Sequence, residues 1–150
     1  MSDNWLFLIL TDPQYVPNVD AYKEALNTFR ANISIAEEVK VNIYDEIEFI
    51  GSGVNLQRMT CPFCMSSIFM KWWLQKMDEL YSKNRFAYLI VQVPCCGRFC
   101  SLNDLCYDWP CGFARFSLEA RNPATDMSEQ VIHEMEGLLQ CKLRKIWRHL

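Results

Sequence analysis

Leu143-Arg144-Lys145-Ile146-Trp147 is the stretch on which the fold turns. Leu143, Ile146, Trp147 and Leu150 fit a continued helix, while the same residues fit a closing strand with basic side chains along an edge equally well. Architecture favours the strand. Just upstream, Val131, Ile132, Met135, Leu138 and Leu139 share one side of a helix running from about Asp126 or Ser128 to Leu139. Acids occupy its first turn, where the backbone dipole favours them. Before that helix, Phe113 to Arg121 sets Ala114, Phe116, Leu118 and Ala120 against Phe113, Arg115, Ser117 and Glu119. That is one apolar and one charged face of a strand, stopped by Asn122-Pro123.

The opening of the chain has the same form. Trp5 to Leu10 is an unbroken apolar run, read as a buried strand that ends at Thr11-Asp12-Pro13. Tyr22, Ala25, Leu26 and Phe29 then recur at helical spacing from about Val19 to Arg30, with Asn18 or Asp20 available as N-cap. Glu38 to Phe49 alternates like a strand, with a break at Asp45-Glu46, and Gly51-Ser52-Gly53 ends it. Two strand-helix-strand units predict an α+β fold, a ferredoxin-like split sheet (βαβ…βαβ) with a zinc-binding helix/strand insert. Residues 1–150 form a single domain and 57–111 the insert. Within the insert, Phe69, Trp72, Trp73, Lys76, Met77 and Leu80 predict a helix over Ser67 to Lys83, and Phe86 to Val93 reads as a strand.

The insert carries most of the cysteines. Cys61-Pro62-Phe63-Cys64 has the spacing at which a tight turn presents two thiols to one metal ion. Thirty residues separate Cys64 from Cys95, room for one helix and one strand to carry the chain out and back. Cys95-Cys96-Gly97 then supplies the second pair, although adjacent cysteines point apart unless their turn is sharp. A structural Zn2+ on Cys61, Cys64, Cys95 and Cys96 follows, closed by four thiolates and therefore without a position for water or substrate. Cys100 competes with Cys95 or Cys96 as fourth ligand, and the spacing leaves that open. The alternative is that Cys61 and Cys64 are a redox pair or core thiols and Cys95-Cys96 merely ends a buried strand. Cys106 and Cys111 are unassigned, and Cys141 reads as buried filler. His133 and His149 have no partner at ligand spacing.

Composition bounds the rest. The 150 residues are 51% hydrophobic and 13% aromatic, enough for one sizeable core. A formal charge of -3 argues against a phosphate-gripping surface, and the basic tail Lys142, Arg144, Lys145, Arg148 reads as a solvated edge. The longest apolar run is too short to span a bilayer and lacks the flanks of a secretory signal, so a cytoplasmic chain is expected. Eight cysteines in a chain of this size, with no sign of secretion, point to metal before disulfides. Asp104 and Asp108, with Asn103, could do acid-base work, but turn capping is the commoner use of such residues. Trp72 and Trp73 point roughly 100° apart on a helix, so one of the two is expected to be partly exposed.

Cys61-Pro62-x-Cys64, Pro94-Cys95-Cys96-Gly97 and Ser101-Leu102-Asn103-Asp104-Leu105-x-Tyr107-Asp108-Trp109-Pro110-x-Gly112-Phe113-Ala114-Arg115-Phe116 together resemble a family of small bacterial proteins whose function is uncharacterised. The resemblance extends to Thr11-Asp12-Pro13 and to the ending Cys141-Lys142-Leu143-Arg144-x-Ile146-Trp147-x-His149. It implies zinc on Cys61, Cys64, Cys95 and Cys96. Two positions depart from the family pattern: Gly51-Ser52-Gly53 stands where members tend to carry Cys-Gly, and Met65 where they carry glycine after the knuckle. The expected function is a non-enzymatic, zinc-stabilised protein-interaction module, an immunity or regulatory protein of bacteria being a concrete version. Its partner is a protein, with neither nucleic acid nor membrane expected. The alternatives are a zinc-ribbon nucleic-acid binder and a thiol oxidoreductase using Cys61 and Cys64 at a helix N-terminus.

Overall fold

A computed structural model describes residues 3–150. The apolar run at the start forms β1 (Asn4–Leu10), whose last five residues are all buried because both faces of the strand are covered. The helix α1 (Val19–Asn32) follows, and Asn18 Oδ1 caps it by accepting from the Ala21 amide at 2.9 Å. Next comes β2 (Glu38–Ile50), whose register against its neighbour shifts between Ile43 and Glu48, the place where Asp45-Glu46 predicted a break. The insert then supplies β3 (Met59–Thr60), α2 (Met70–Asn84), β4 (Ile90–Gln92), β5 (Phe99–Ser101), a single tight helical turn at Leu102–Asp104 and β6 (Cys106–Tyr107). The chain closes with β7 (Gly112–Arg121), α3 (Glu129–Leu139) and β8 (Leu143–His149), so the ambiguous tail is a strand.

The sheet runs β2-β7-β1-β8 and every pairing in it is antiparallel. Helices α1 and α3 lie on one face, where Ala25, Phe29, Ile132, Met135 and Leu139 close over Leu6, Leu8, Leu10, Phe116, Leu118 and Ala120. Each fully buried Leu or Phe there contributes about 1.5–3 kcal/mol relative to exposure. On β7 the expected alternation holds for Phe116, Leu118 and Ala120. Ala114 instead packs with Phe7, Ile9, Ile50 and Ile146, and Phe113, placed by the pattern on the charged face, is fully buried. The cause is the insert, which covers that end of the sheet: Phe113 packs with Ile47, Trp73, Phe86 and Leu102. Ser117 is also buried, and its hydroxyl accepts from Asn42 Nδ2 at 3.0 Å.

The insert replaces what would otherwise be the hairpin turn between β2 and β7, because Ile50 and Gly112, its flanking residues, are paired across those strands. Its own sheets are two short hairpin-like pairs, β3 with β6 and β4 with β5. Two expectations need correction. The helix begins at Met70 and not Ser67, because Thr60 bridges Ser67 and the Ile68 amide donates to Met59 O at 2.9 Å, holding that segment extended. The strand expected over Phe86 to Val93 is confined to Ile90–Gln92, since Arg85 and Phe86 both have positive φ and the chain is still turning there. Trp73 is buried and donates through Nε1 to the Tyr107 hydroxyl at 3.0 Å, whereas Trp72 is only partly buried, with Lys76 Nζ 5.9 Å from its ring. Among the described residues, no helix is long and apolar enough to cross a membrane.

Candidate metal centre

Two turns of the insert meet tip to tip. In the first, the Cys61 amide donates to Ser66 O at 2.9 Å and the Met65 amide to Cys61 O at 3.0 Å. In the second, at the end of the β4–β5 hairpin, the Val93 amide donates to Arg98 O at 2.9 Å and the Gly97 amide to Val93 O at 3.1 Å. Bond for bond these are the same turn. Cys61, Pro62, Phe63, Cys64, Met65 and Ser66 correspond to Val93, Pro94, Cys95, Cys96, Gly97 and Arg98. The fifth position needs left-handed backbone in both: Gly97 has φ 75° and Met65 has φ 62°. Methionine thus adopts the conformation that glycine would take without strain.

That correspondence explains the adjacent cysteines. Cys96 occupies the place of Cys64, while the first position of the second turn is given to Val93, which is buried in the insert core. The remaining thiol has moved to the third position, as Cys95. The turn is sharp enough for both neighbours to face the first pair: Cys61 Sγ lies 3.8 Å from Cys96 Sγ, and Cys64 Sγ lies 3.3 Å from Cys95 Sγ. All four sulfur atoms fall within 4.8 Å of one another. A tetrahedron of thiolates around zinc, with Zn–S of about 2.3 Å, has edges of about 3.8 Å, so the four atoms can hold one ion after small adjustments.

The surroundings bias the sulfurs unequally. The Ser66 hydroxyl, 3.3 Å from Cys64 Sγ, together with the Ser66 amide and Cys95, holds the Cys64 thiol down to about 6. Loss of hydration, and then the neighbouring Cys64 and Cys61, push the Cys95 thiol up to about 12. For Cys61, desolvation opposes ionisation, but the amides of Cys64 and Phe63 outweigh it and the thiol lies below its ordinary value. Cys64 therefore ionises first and shares its charge with Cys95. Ser66 and Arg98, whose guanidinium lies 5.4 Å from the Phe63 ring, went unnoticed in the sequence; a hydroxyl two residues beyond a knuckle cysteine was the available signal for the former.

The other sulfurs lie apart from this group. Cys100 is buried on the inner side of β5, in the core of the insert. Burial pushes the Cys111 thiol up to about 12. Cys106 is exposed and Cys141 half-buried, its Sγ 3.9 Å from Thr11 Oγ1. His133 is exposed beside Glu136, and His149 stacks on Trp147 and hydrogen-bonds Asn55. Asp108 caps a turn by accepting from the Gln57 and Trp109 amides at 3.2 and 3.0 Å. Asn103, 4% exposed, is a keystone between insert and sheet. Its Oδ1 accepts from the Phe113 amide and from Arg144 Nη1, and its Nδ2 donates to Thr11 O.

Thioredoxin-like chemistry needs Cys61 and Cys64 at a helix N-terminus, whereas α2 begins six residues beyond Cys64 and an extended return strand intervenes. In the basic tail, Arg144 contacts Asn103 and Cys111 O, Lys145 contacts Asp126 and Met127 O, and Arg148 Nε donates to Gly51 O, while Lys142 is exposed. Comparison with family models, with curated proteins and with solved structures found no match.

Proposed function

We propose that Cys61, Cys64, Cys95 and Cys96 hold one zinc ion, and that the ion staples the insert into a shape offered to a protein partner. The observation that carries this reading is the convergence of four sulfur atoms from two matching turns, with no histidine or carboxylate of the described residues in the cluster. Four thiolates complete the coordination shell, so the ion would contribute folding free energy and no catalysis. The donor set also suits iron, which elemental analysis distinguishes. The order β2-β7-β1-β8, with α1 and α3 on one face, supports the ferredoxin-like reading of the sheet beneath.

Beside the turns, β4 and β5 alternate so that Val91 and Cys100 face inward while Ile90 and Phe99 face water, 60% and 66% exposed. Tyr88 and Phe63 are exposed as well. Apolar side chains clustered on one rigid hairpin suit docking to a protein. An immunity or regulatory protein of bacteria is one version of such a module.

The test is native mass spectrometry with metal analysis. One zinc per chain is expected, lost in Cys64→Ser and in Cys96→Ser. A folded, metal-free wild-type chain would overturn the metal reading. Ile90→Glu with Phe99→Glu should keep the zinc and the fold while abolishing co-purification of a specific partner from the native cell. An unchanged set of co-purifying proteins would remove the docking face.

A further inference from the structure

The four clustered cysteines meet solvent unequally. Cys61 is buried, while Cys64, Cys95 and Cys96 are exposed. A zinc ion held here would therefore have three of its four ligands within reach of small solutes. Coordination keeps a cysteine sulfur as thiolate, the form that peroxides attack, so exposure decides which of the four reacts first.

The distances across the two turns decide which bond then forms. Cys64 Sγ lies 3.3 Å from Cys95 Sγ, and both side chains are exposed. A disulfide holds its sulfurs about 2.05 Å apart, so this pair closes with a movement of about 1.2 Å. Cys96 is a poor partner for Cys95, because neighbouring Cα atoms are about 3.8 Å apart and disulfides ordinarily span about 4.4–6.8 Å between Cα atoms. Across the turns Cys96 faces Cys61 instead, at 3.8 Å, and that sulfur belongs to the buried residue of the set.

Resting on the zinc reading of the site, we propose that peroxide converts it from a metal clamp into a disulfide clamp, joining Cys64 to Cys95 and expelling the ion. The Cys64 thiolate attacks one peroxide oxygen; the O–O bond breaks, hydroxide leaves, and Cys64 becomes a sulfenic acid. The Cys95 thiolate then attacks that sulfur, the S–S bond forms, the S–O bond breaks and a second hydroxide departs. Two thiolates have lost two electrons, and hydrogen peroxide has gained them and, with two protons from solvent, become two waters. Zinc keeps its charge throughout but retains only Cys61 and Cys96, half the shell of a structural site. The new bond spans the thirty residues that carry α2 and β4, so it ties together the same two turns that the metal tied. Loss of the ion by this route leaves the insert folded, unlike its removal by a chelator from reduced thiols.

The experiment measures zinc in the purified full chain and then adds hydrogen peroxide. Released zinc is followed with a chromogenic indicator, and linkages by mass spectrometry of the unreduced digest. Release of one zinc per chain, Cys64–Cys95 as the first linkage, and renewed zinc uptake after dithiothreitol are expected. Hydrogen exchange should show protection retained in β4 and β5 of the oxidised chain. Cys106→Ser, which removes an exposed thiol outside the cluster, should release zinc at an unchanged rate. Retention of zinc under peroxide, a first linkage between Cys61 and Cys64, oxidation without any linkage, a melted insert, or slower release from Cys106→Ser would each overturn the proposal. A chain without zinc before peroxide is added would overturn the metal reading together with this one, whereas a zinc-loaded chain that keeps its ion refutes the switch alone.

Discussion

Stripping the metal from the four thiolates should melt the insert and leave the four-stranded sheet standing. The insert is built from strands of two or three residues and one helix, α2, so its regular structure is slight. A core below about 70–80 residues rarely supplies more than about 3–5 kcal/mol, whereas structural zinc in small domains binds with an apparent 10–16 kcal/mol. A bound zinc ion would therefore outweigh everything else that holds this part of the chain. Helix α2 has 15 residues beside 14 in α1 and 11 in α3, and the latter two pack on the opposite face of the sheet in a separate cluster. Loss of α2 alone lowers the helical far-ultraviolet signal by roughly three-eighths, with α1 and α3 retained. The assay is circular dichroism of the zinc-loaded chain before and after a strong chelator, with hydrogen exchange to locate the change. Protection should vanish over residues 57–111 and persist in β1 and β8. A chelated chain with an undiminished spectrum would refute the reasoning, and so would collapse of the whole spectrum, which would mean that the sheet cannot stand without its insert.

Metal affinity should rise with pH, because binding expels protons. Cys95 holds its proton up to about 12 in the empty site and releases it on ligation, while Cys64, at about 6, adds a second proton only in more acid solution. The logarithm of affinity should climb by at least about one per pH unit near neutrality and more steeply below about pH 6; chelator competition across that range checks it, and a flat profile would exclude thiol ligation. Met65→Gly should stabilise the metal-loaded chain by about 0.5–1 kcal/mol and Gly97→Ala destabilise it by a similar amount. Space is not at issue for the second, since the nearest atom to an added Cβ is Gln92 Nε2 at 3.7 Å; thermal melts showing the same sign for both would contradict the shared turn geometry. Asn103→Leu orphans the Phe113 amide, Thr11 O and part of the Arg144 guanidinium, a loss of about 2–4 kcal/mol readable as a lowered denaturant midpoint. Asn103→Asp keeps the acceptor and should lose less.

The sheet was legible because its strands obey local rules. β1 is an uninterrupted apolar run, β7 alternates over Phe116, Leu118 and Ala120, and α1 and α3 carry their caps at Asn18 and Ser128. Even the ambiguous tail resolved through architecture, since a lone β1 beside β7 needs a strand on its other edge. The insert was less legible. The strands β3, β5 and β6 have two or three residues each, too few for a period to register, and they exist because the turns and the core hold them. Phe113 broke its own alternation because what covers it arrives from another part of the chain. Of the four sulfurs, the Cys61–Cys64 spacing was readable in the sequence. The orientation of Cys95 and Cys96 was not, because it depends on Val93 taking the first position of the second turn.

Ile50 and Gly112 stand side by side on neighbouring strands, so sixty-odd residues leave and re-enter the sheet through a doorway two residues wide. A segment spliced in at such a place can be enlarged, exchanged or discarded over evolutionary time without rethreading anything behind it. The scaffold keeps its own helices and its own core, while the piece mounted at its rim is free to acquire new faces, its two cysteine turns meeting where a single ion could pin them in place of length.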